Sequence, residues 1–133
     1  MLSVTLDVAG PGLLIGLGVI VGGLASVVIV IAEALVLWQL KWAGFWRSLF
    51  VSLMANIASA IAGIFWTSFY VIRDIPFDVI FLVVSFLASI VIEAGVLMLL
   101  KRGANQENWR AALLINLASY ALILLIVAAW YAY

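Results

Sequence analysis

The sequence predicts an all-α integral membrane protein with four transmembrane helices, arranged as two tandem copies of one helical hairpin. Of its 133 residues, 69% are hydrophobic and 9% are charged, and the mean hydropathy is +1.38. A soluble domain is roughly half apolar and a quarter charged, so the solvent of this chain must be lipid. A second observation is that Glu33 and Glu93 lie sixty residues apart, each the only charge in a long apolar segment.

Four segments are long enough to cross a membrane, because a helix needs about 20 apolar residues to span the hydrocarbon. Backbone in lipid must satisfy its own hydrogen bonds, so each of these segments is predicted to be helical. Pro76 is suited to the start of the third helix. The segments are 18–40, 48–70, 77–100 and 109–131. The predicted organisation is a glycine-rich lead-in at 1–17, hairpin repeat 1 at 18–70, an outer loop at 71–76 and hairpin repeat 2 at 77–133.

The distribution of basic residues predicts the orientation. The connection between the two hairpins contains a single basic residue, Arg73, beside Asp74. Under the positive-inside rule, the other two connections are cytoplasmic and both termini lie on the non-cytoplasmic side. The basic residues in or beside those two connections are Lys41, Arg47, Lys101, Arg102 and Arg110.

The internal repeat extends across both helices of each hairpin without a gap. At the same offset of sixty, residues 56–59 (Asn-Ile-Ala-Ser) match 116–119 (Asn-Leu-Ala-Ser), and Lys41 matches Lys101. Such rare residue types are unlikely to coincide by chance in so apolar a chain. We interpret the chain as a duplicated hairpin with a pseudo-twofold axis along the membrane normal. Many alternating-access transporters are built from inverted repeats instead, so a parallel repeat counts modestly against a transporter function.

A carboxyl group at membrane depth costs several kcal/mol, so it usually faces protein or water and often has a function. Glu33 lies about 12 Å from the Lys41 boundary at 1.5 Å per residue, and Asn56 lies at a similar depth on the next helix. An Asn amide can donate to a carboxylate or accept from a protonated carboxyl. The predicted intramembrane polar site comprises Glu33, Glu93, Asn56, Asn116, Ser59, Ser119, Ser89 and Tyr120.

Two interpretations of this site remain open. The polar residues can tie helices together through interhelical hydrogen bonds, at about 0.6 to 2 kcal/mol each. Alternatively, Glu33 and Glu93 can handle protons or cations. Two carboxyls that approach each other in lipid cannot easily both ionise, so at least one is expected to hold a proton.

The residue types that are missing exclude several classes of chemistry. The chain contains no Cys and no His. Disulfides and thiolate sites are therefore excluded, as are the usual ligand of haem iron and zinc and the usual general base. We expect no cofactor, no metal site and no enzymatic activity, because nothing is available to activate a serine. The net charge of zero gives no indication of nucleic acid binding.

The first segment opens with glycines at small-xxx-small spacing, Gly12 to Gly16 and Gly18 to Gly22. This spacing lets helix backbones approach closely, either within the bundle or at an interface with another chain. The predicted function is a non-catalytic accessory or scaffold subunit of a larger membrane complex. Its partners would be membrane lipid and larger integral membrane proteins or further copies of itself. The alternative is a small oligomeric channel or a proton- or cation-linked transporter using Glu33 and Glu93.

Overall fold

The computed structural model of the protein describes residues 22–75 and 78–131. Within these ranges the chain forms four helices, each long and apolar enough to cross a membrane. The predicted all-helical, multi-pass architecture is therefore confirmed at this level. The helices are α1 (Gly22–Gln39), α2 (Phe45–Ile72), α3 (Val79–Leu100) and α4 (Asn105–Tyr131).

The helix boundaries differ from the apolar segments by a few residues. α2 begins three residues before position 48 and α4 begins four before position 109, because helical hydrogen bonding continues beyond the apolar stretch. α3 begins at Val79, where the Asp78 side chain accepts a hydrogen bond from the Phe81 N–H at 2.9 Å. Pro76, predicted to start this helix, and the lead-in at 1–17 lie outside the described residues.

α1 ends in a Schellman turn. The Lys41 N–H donates to the Trp38 carbonyl at 2.9 Å, and the Trp42 N–H donates to the Leu37 carbonyl at 3.0 Å. This pattern places Lys41 in the left-handed region, with φ of 56°, a position that glycine usually occupies. α2 ends with the same pair of bonds at Asp74, but Asp adopts this conformation more readily than Lys does.

The four helices form a closed ring of neighbours. α3 packs against both α2 and α4. Ser52 on α2 donates to the Val30 carbonyl on α1 at 3.1 Å, and Ser119 on α4 donates to Glu33 on α1. Each helix therefore contacts the helix before it and the helix after it, and α4 returns to α1.

An apolar core fills the half of the bundle nearest the α1–α2 and α3–α4 connections, which we call the Lys41 end. Leu37, Leu97 and Ile115 are fully buried there, surrounded by smaller side chains. Small residues allow membrane helices to approach closely, and they are typical of helix interfaces in lipid. The buried cluster comprises Leu37, Trp42, Val51, Ile90, Ala94, Leu97, Ala111, Ala112 and Ile115.

The Lys41 end is held together by a network of polar contacts. The Trp42 indole N–H donates to Asn108 Oδ1 at 2.8 Å, and Asn108 Nδ2 donates to the Lys101 carbonyl at 2.8 Å. Lys101 Nζ in turn donates to the Trp42 carbonyl at 3.1 Å and forms an ion pair with Glu107 at 2.5 Å. Arg47 adds a bond to the Leu100 carbonyl at 3.0 Å. The two connections are thus fastened to each other.

The opposite end of the bundle is joined by aromatic side chains of α2 and α3. The Tyr70 ring lies 4.9 Å from Trp66 and 4.8 Å from Phe81, measured between ring centroids. Such tilted and edge-on pairs add attraction beyond the burial of their surface. α2 and α3 therefore pack together at this end of the bundle as well as at the Lys41 end.

The Trp42–Asn108 bond provides a test of the network. Trp42→Phe keeps an aromatic ring but leaves the buried Asn108 Oδ1 without its indole donor. We expect the free energy of unfolding to fall by about 1–3 kcal/mol. It can be measured by circular dichroism in mixed micelles containing increasing SDS. The matched control is Trp46→Phe, because that ring is 78% exposed; it should change the value by less than about 0.5 kcal/mol. Equal effects of both variants would contradict the assigned role of the bond.

Candidate functional site

The first part of the site is the Glu33 carboxyl on α1, which is buried with 1% of its surface exposed. Its Oε2 accepts a hydrogen bond from the Ser52 hydroxyl at 2.8 Å and another from the Asn56 amide. Its Oε1 accepts from the Ser119 hydroxyl. Ser52 and Asn56 reach the same oxygen because residues four apart share one face of α2. Both carboxyl oxygens therefore have donors, supplied by α2 and α4.

The second part of the site is the Glu93 carboxyl on α3, which is 3% exposed. Its Oε2 accepts from Asn116 Nδ2 at 2.6 Å and its Oε1 accepts from the Ser59 hydroxyl at 3.2 Å. Asn116 is itself fixed, because Nδ2 also donates to the Ala112 carbonyl at 2.9 Å and Oδ1 accepts from Ser89 at 2.6 Å. The amide is therefore held in one orientation by contacts on both of its polar atoms.

Each glutamate receives donors from both neighbouring helices. Asn56 and Asn116 each bind the glutamate of the preceding helix, as their predicted depths suggest. Ser119 binds the α1 glutamate across the α4–α1 boundary, and Ser59 binds the α3 glutamate across the α2–α3 boundary. Two carboxyls thereby connect all four helices at one level of the bundle.

Both glutamates line one cavity of about 230 Å³. All eight residues of the predicted polar site border it, and so do small or apolar residues from each helix. Polar side chains from all four helices therefore border this space and form one polar layer. The lining comprises Ile29, Glu33, Asn56, Ser59, Gly63, Ser85, Ser89, Glu93, Asn116, Ser119, Tyr120 and Ile123.

Two serines belong to the site although the predicted set omits them. Ser52 donates to Glu33, and Ser85 lines the cavity. Helical spacing carries the signal for both, since Ser52 lies four residues before Asn56 and Ser85 lies four before Ser89. Residues four apart on a helix share a face.

A second pocket of about 220 Å³ lies between α2 and α3. It shares Ser59, Gly63, Ser85 and Ser89 with the central cavity, so the two spaces adjoin. Here the Trp66 indole N–H and the Ser85 hydroxyl are buried without a hydrogen-bond partner among the described residues. Water or a bound molecule is the usual partner of such groups.

The hydroxyl groups beside Glu33 can serve either protonation state of the carboxyl. Ser119 Oγ lies within bonding distance of Glu33 and, at 2.8 Å, of the Ile115 carbonyl. Ser52 Oγ similarly faces Glu33 and the Val30 carbonyl. A hydroxyl has one hydrogen to donate, so it can satisfy only one of its two acceptors at a time. A protonated Glu33 could donate its one hydrogen to one of these hydroxyls, which would then donate to its backbone carbonyl, whereas an ionised Glu33 could accept the hydrogens of both.

The arrangement offers oxygen atoms and amide groups only. Within residues 22–75 and 78–131, no group of three or more His, Cys, Asp or Glu residues could hold a metal ion. The carboxyl, amide and hydroxyl groups of the site can form hydrogen bonds, and a carboxyl can bind or release a proton.

Of the glycines in the predicted interface, only Gly22 lies within the described residues. A Cβ placed on Gly22 would meet no atom within 4 Å, so Gly22 makes no close helix contact inside the described bundle. Gly12, Gly16 and Gly18 lie outside the described residues. An interface between these glycines and another chain remains a prediction.

Comparison with known proteins gives no match: no family model, no curated protein and no solved structure matches this chain.

The two asparagines are expected to differ in their contribution to stability. Asn116→Ala leaves Glu93 Oε2 and the Ser89 hydroxyl without that partner, so we expect the free energy of unfolding to fall by about 1–3 kcal/mol. Asn56→Ala should cost less, because Ser52 still donates to the same oxygen of Glu33. The measurement is SDS unfolding in mixed micelles followed by circular dichroism.

The matched control for the asparagine variants is Gln106→Ala, which removes an exposed amide from the same helix as Asn116. It should change the free energy of unfolding by less than about 0.5 kcal/mol. A larger loss for Asn56→Ala than for Asn116→Ala would contradict the assigned partners.

Proposed function

We propose that this protein is a non-catalytic accessory or scaffold subunit of a larger membrane protein complex, with its two Glu–Asn pairs acting as helix clasps. The observation that carries the proposal is that both oxygens of Glu33 and of Glu93 accept hydrogen bonds from side chains of neighbouring helices. Carboxyl groups whose oxygens already accept hydrogen bonds inside the bundle need no external ligand. Interhelical hydrogen bonds of this kind hold membrane helices in register.

The outward-facing surface of the bundle suits contact with lipid or with a partner that lies within the membrane. Large apolar side chains face outward along the helices, including Phe65 at 73% and Leu99 at 72% exposure. The α1–α2 and α3–α4 connections span only residues 40–44 and 101–104, so they offer little surface outside the lipid. A partner would dock on the helix faces, and the glycine spacing that ends at Gly22 would permit a close approach.

We also propose that the two hairpins are copies of one unit, related by a parallel pseudo-twofold axis. In both helices of each hairpin, buried residues occur in pairs that lie sixty residues apart. The copies differ in the polar layer, where Ser52 corresponds to Ala112 and Ser89 to Ile29. The buried pairs are Glu33 and Glu93, Ala34 and Ala94, Leu37 and Leu97, Ser48 and Asn108, Val51 and Ala111, Ser52 and Ala112, and Ala55 and Ile115.

The proposed orientation places the Lys41 end in the cytoplasm and both termini on the other side. Five of the six basic residues lie at this end, and only Arg73 lies at the opposite end. Basic residues in short connections favour the cytoplasmic side, and acidic residues such as Glu107 contribute little.

The second candidate function is a small oligomeric channel or a proton- or cation-linked transporter. It is favoured by the cavity that Glu33 and Glu93 share and by the adjoining pocket, where Trp66 and Ser85 carry buried polar groups without partners among the described residues. Ionisable residues inside a membrane often mark an ion or proton pathway. Because four helices enclose little water, the conducting form would require several copies of the chain.

Double substitution of the glutamates separates the two functions. Glu33→Gln with Glu93→Gln keeps a neutral hydrogen-bonding group at each position. A clasp therefore predicts retained folding and retained association with partners, whereas Leu at both positions should loosen the bundle. The measurement is native mass spectrometry of protein extracted gently from its own membrane, with SDS unfolding as the control for folding.

A stoichiometric complex with larger membrane proteins, kept by the Gln pair, would support the accessory function. A lone monomer or homo-oligomer would overturn it. In that case, proton or cation flux into liposomes that the well-folded Gln pair abolishes would establish the transport function instead.

A further inference from the structure

A cleft at the Lys41 end lies between the last turn of α1 and the first turns of α4. Its volume is about 290 Å³, and Gln39, Lys41 and Arg110 contribute polar groups to its lining. It lies away from the carboxyl layer, by which we mean Glu33, Glu93 and the side chains that bind them. Neither proposed function uses this cleft.

The cleft carries an excess of positive charge. Its one acidic residue, Glu107, forms an ion pair with Lys101 Nζ at 2.5 Å. Within the described part of the chain, neither Lys41 nor Arg110 forms a hydrogen bond or ion pair through its side chain. Two cationic groups are therefore available to an anion in the same cleft.

The backbone at Lys41 is held in a conformation that does not suit a lysine. Its φ of 56° lies in the left-handed region, where a residue with a Cβ is less stable than glycine. The next residue, Trp42, is buried and bound to Asn108, so the turn is fixed from both sides. Residues kept in such regions by the surrounding structure are concentrated at functional sites.

The tryptophans beside the cleft indicate that it would lie at the level of the lipid headgroups. Trp38 and Trp109 flank it in sequence on α1 and α4, and they are 51% and 44% exposed. Exposed tryptophans at helix ends are typical of the boundary between hydrocarbon and water. A guanidinium and an ammonium group are the side chains that bind phosphate most effectively.

We propose that this cleft binds the headgroup phosphate of an anionic phospholipid, with Lys41 and Arg110 as its cationic contacts. The Gln39 amide can donate a further hydrogen bond from α1. The inference does not depend on either proposed function, because it involves no residue of the carboxyl layer.

The test compares lipid binding with stability in the same variants. Purified full-length protein is titrated with dioleoyl phosphatidylglycerol or dioleoyl phosphatidylcholine, and native mass spectrometry counts the bound lipids. Wild-type protein should hold one phosphatidylglycerol at least about 10-fold more tightly than phosphatidylcholine. Lys41→Gly and Arg110→Gln should each reduce that preference by at least about 5-fold, since each removes a charge-assisted contact.

Lys41→Gly separates binding from folding. Glycine relieves the strained φ, so resistance to SDS unfolding without added lipid should stay equal or rise while binding falls. The matched control is Arg102→Gln, which removes an exposed charge from the same end but does not line the cleft. It should change the lipid preference by less than about 2-fold.

Three results would overturn the proposal. One is an equal loss of lipid preference in Arg102→Gln, which would indicate general surface charge. Another is unchanged binding in both Lys41→Gly and Arg110→Gln. The third is displacement of the lipid by millimolar inorganic phosphate, which would assign the cleft to a soluble anion.

Discussion

The rest of the structure depends on one constraint: a polar group placed in lipid must find its hydrogen-bond partner within the bundle, because the hydrocarbon offers none. Glu33 and Glu93 impose this requirement most strongly, since an unpaired carboxyl is the most costly group in the bundle to bury. Each carboxyl oxygen has at least one donor, and the donors come from neighbouring helices. The requirement therefore sets how the helices are rotated and how deeply they lie relative to one another.

The bundle is organised in levels around this polar layer. Towards the Lys41 end, the apolar core is closed by the network in which Trp42, Asn108 and Lys101 join the two connections. Towards the other end, the pocket beside Trp66 and Ser85 separates the carboxyl layer from the aromatic contacts of α2 and α3. The glutamate contacts therefore lie between packing contacts at both ends of the bundle.

The four helices could be predicted from the sequence, because length and hydropathy are strong signals in lipid, and the isolated charges of Glu33 and Glu93 drew attention to the polar layer, although the predicted set omitted Ser52 and Ser85. Which apolar residues lie inside could not be predicted in the same way. Leu37 is fully buried and Leu53 is 44% exposed, although both are leucines in apolar helices. The usual contrast between an apolar inner face and a polar outer face is lost when the solvent is itself apolar. Small residues such as Ala34 and Ala94 mark the interior better.

Which serine binds which glutamate could not be predicted from the sequence, for a different reason. Helical spacing shows which residues of one helix share a face, but it does not reveal which other helix that face meets. The depth of Asn56 indicates Glu33 because the two helices are consecutive. Nothing in the local sequence indicates that Ser119, eighty-six positions away, supplies the other oxygen of that carboxyl. The strained turn at Lys41 could not be predicted either, since a lysine does not indicate a positive φ.

The exchange of serines between the halves bears on how such a chain could arise. Ser59 and Ser119 occupy equivalent places sixty residues apart, and each serves the glutamate of the other half. Two separate copies of one hairpin, facing each other, could form the same reciprocal contacts. Joining their genes would then preserve an existing dimer interface rather than create a new one. Under the proposed duplication, each half could then change alone, which would account for Ser52 and Ala112 at matching positions.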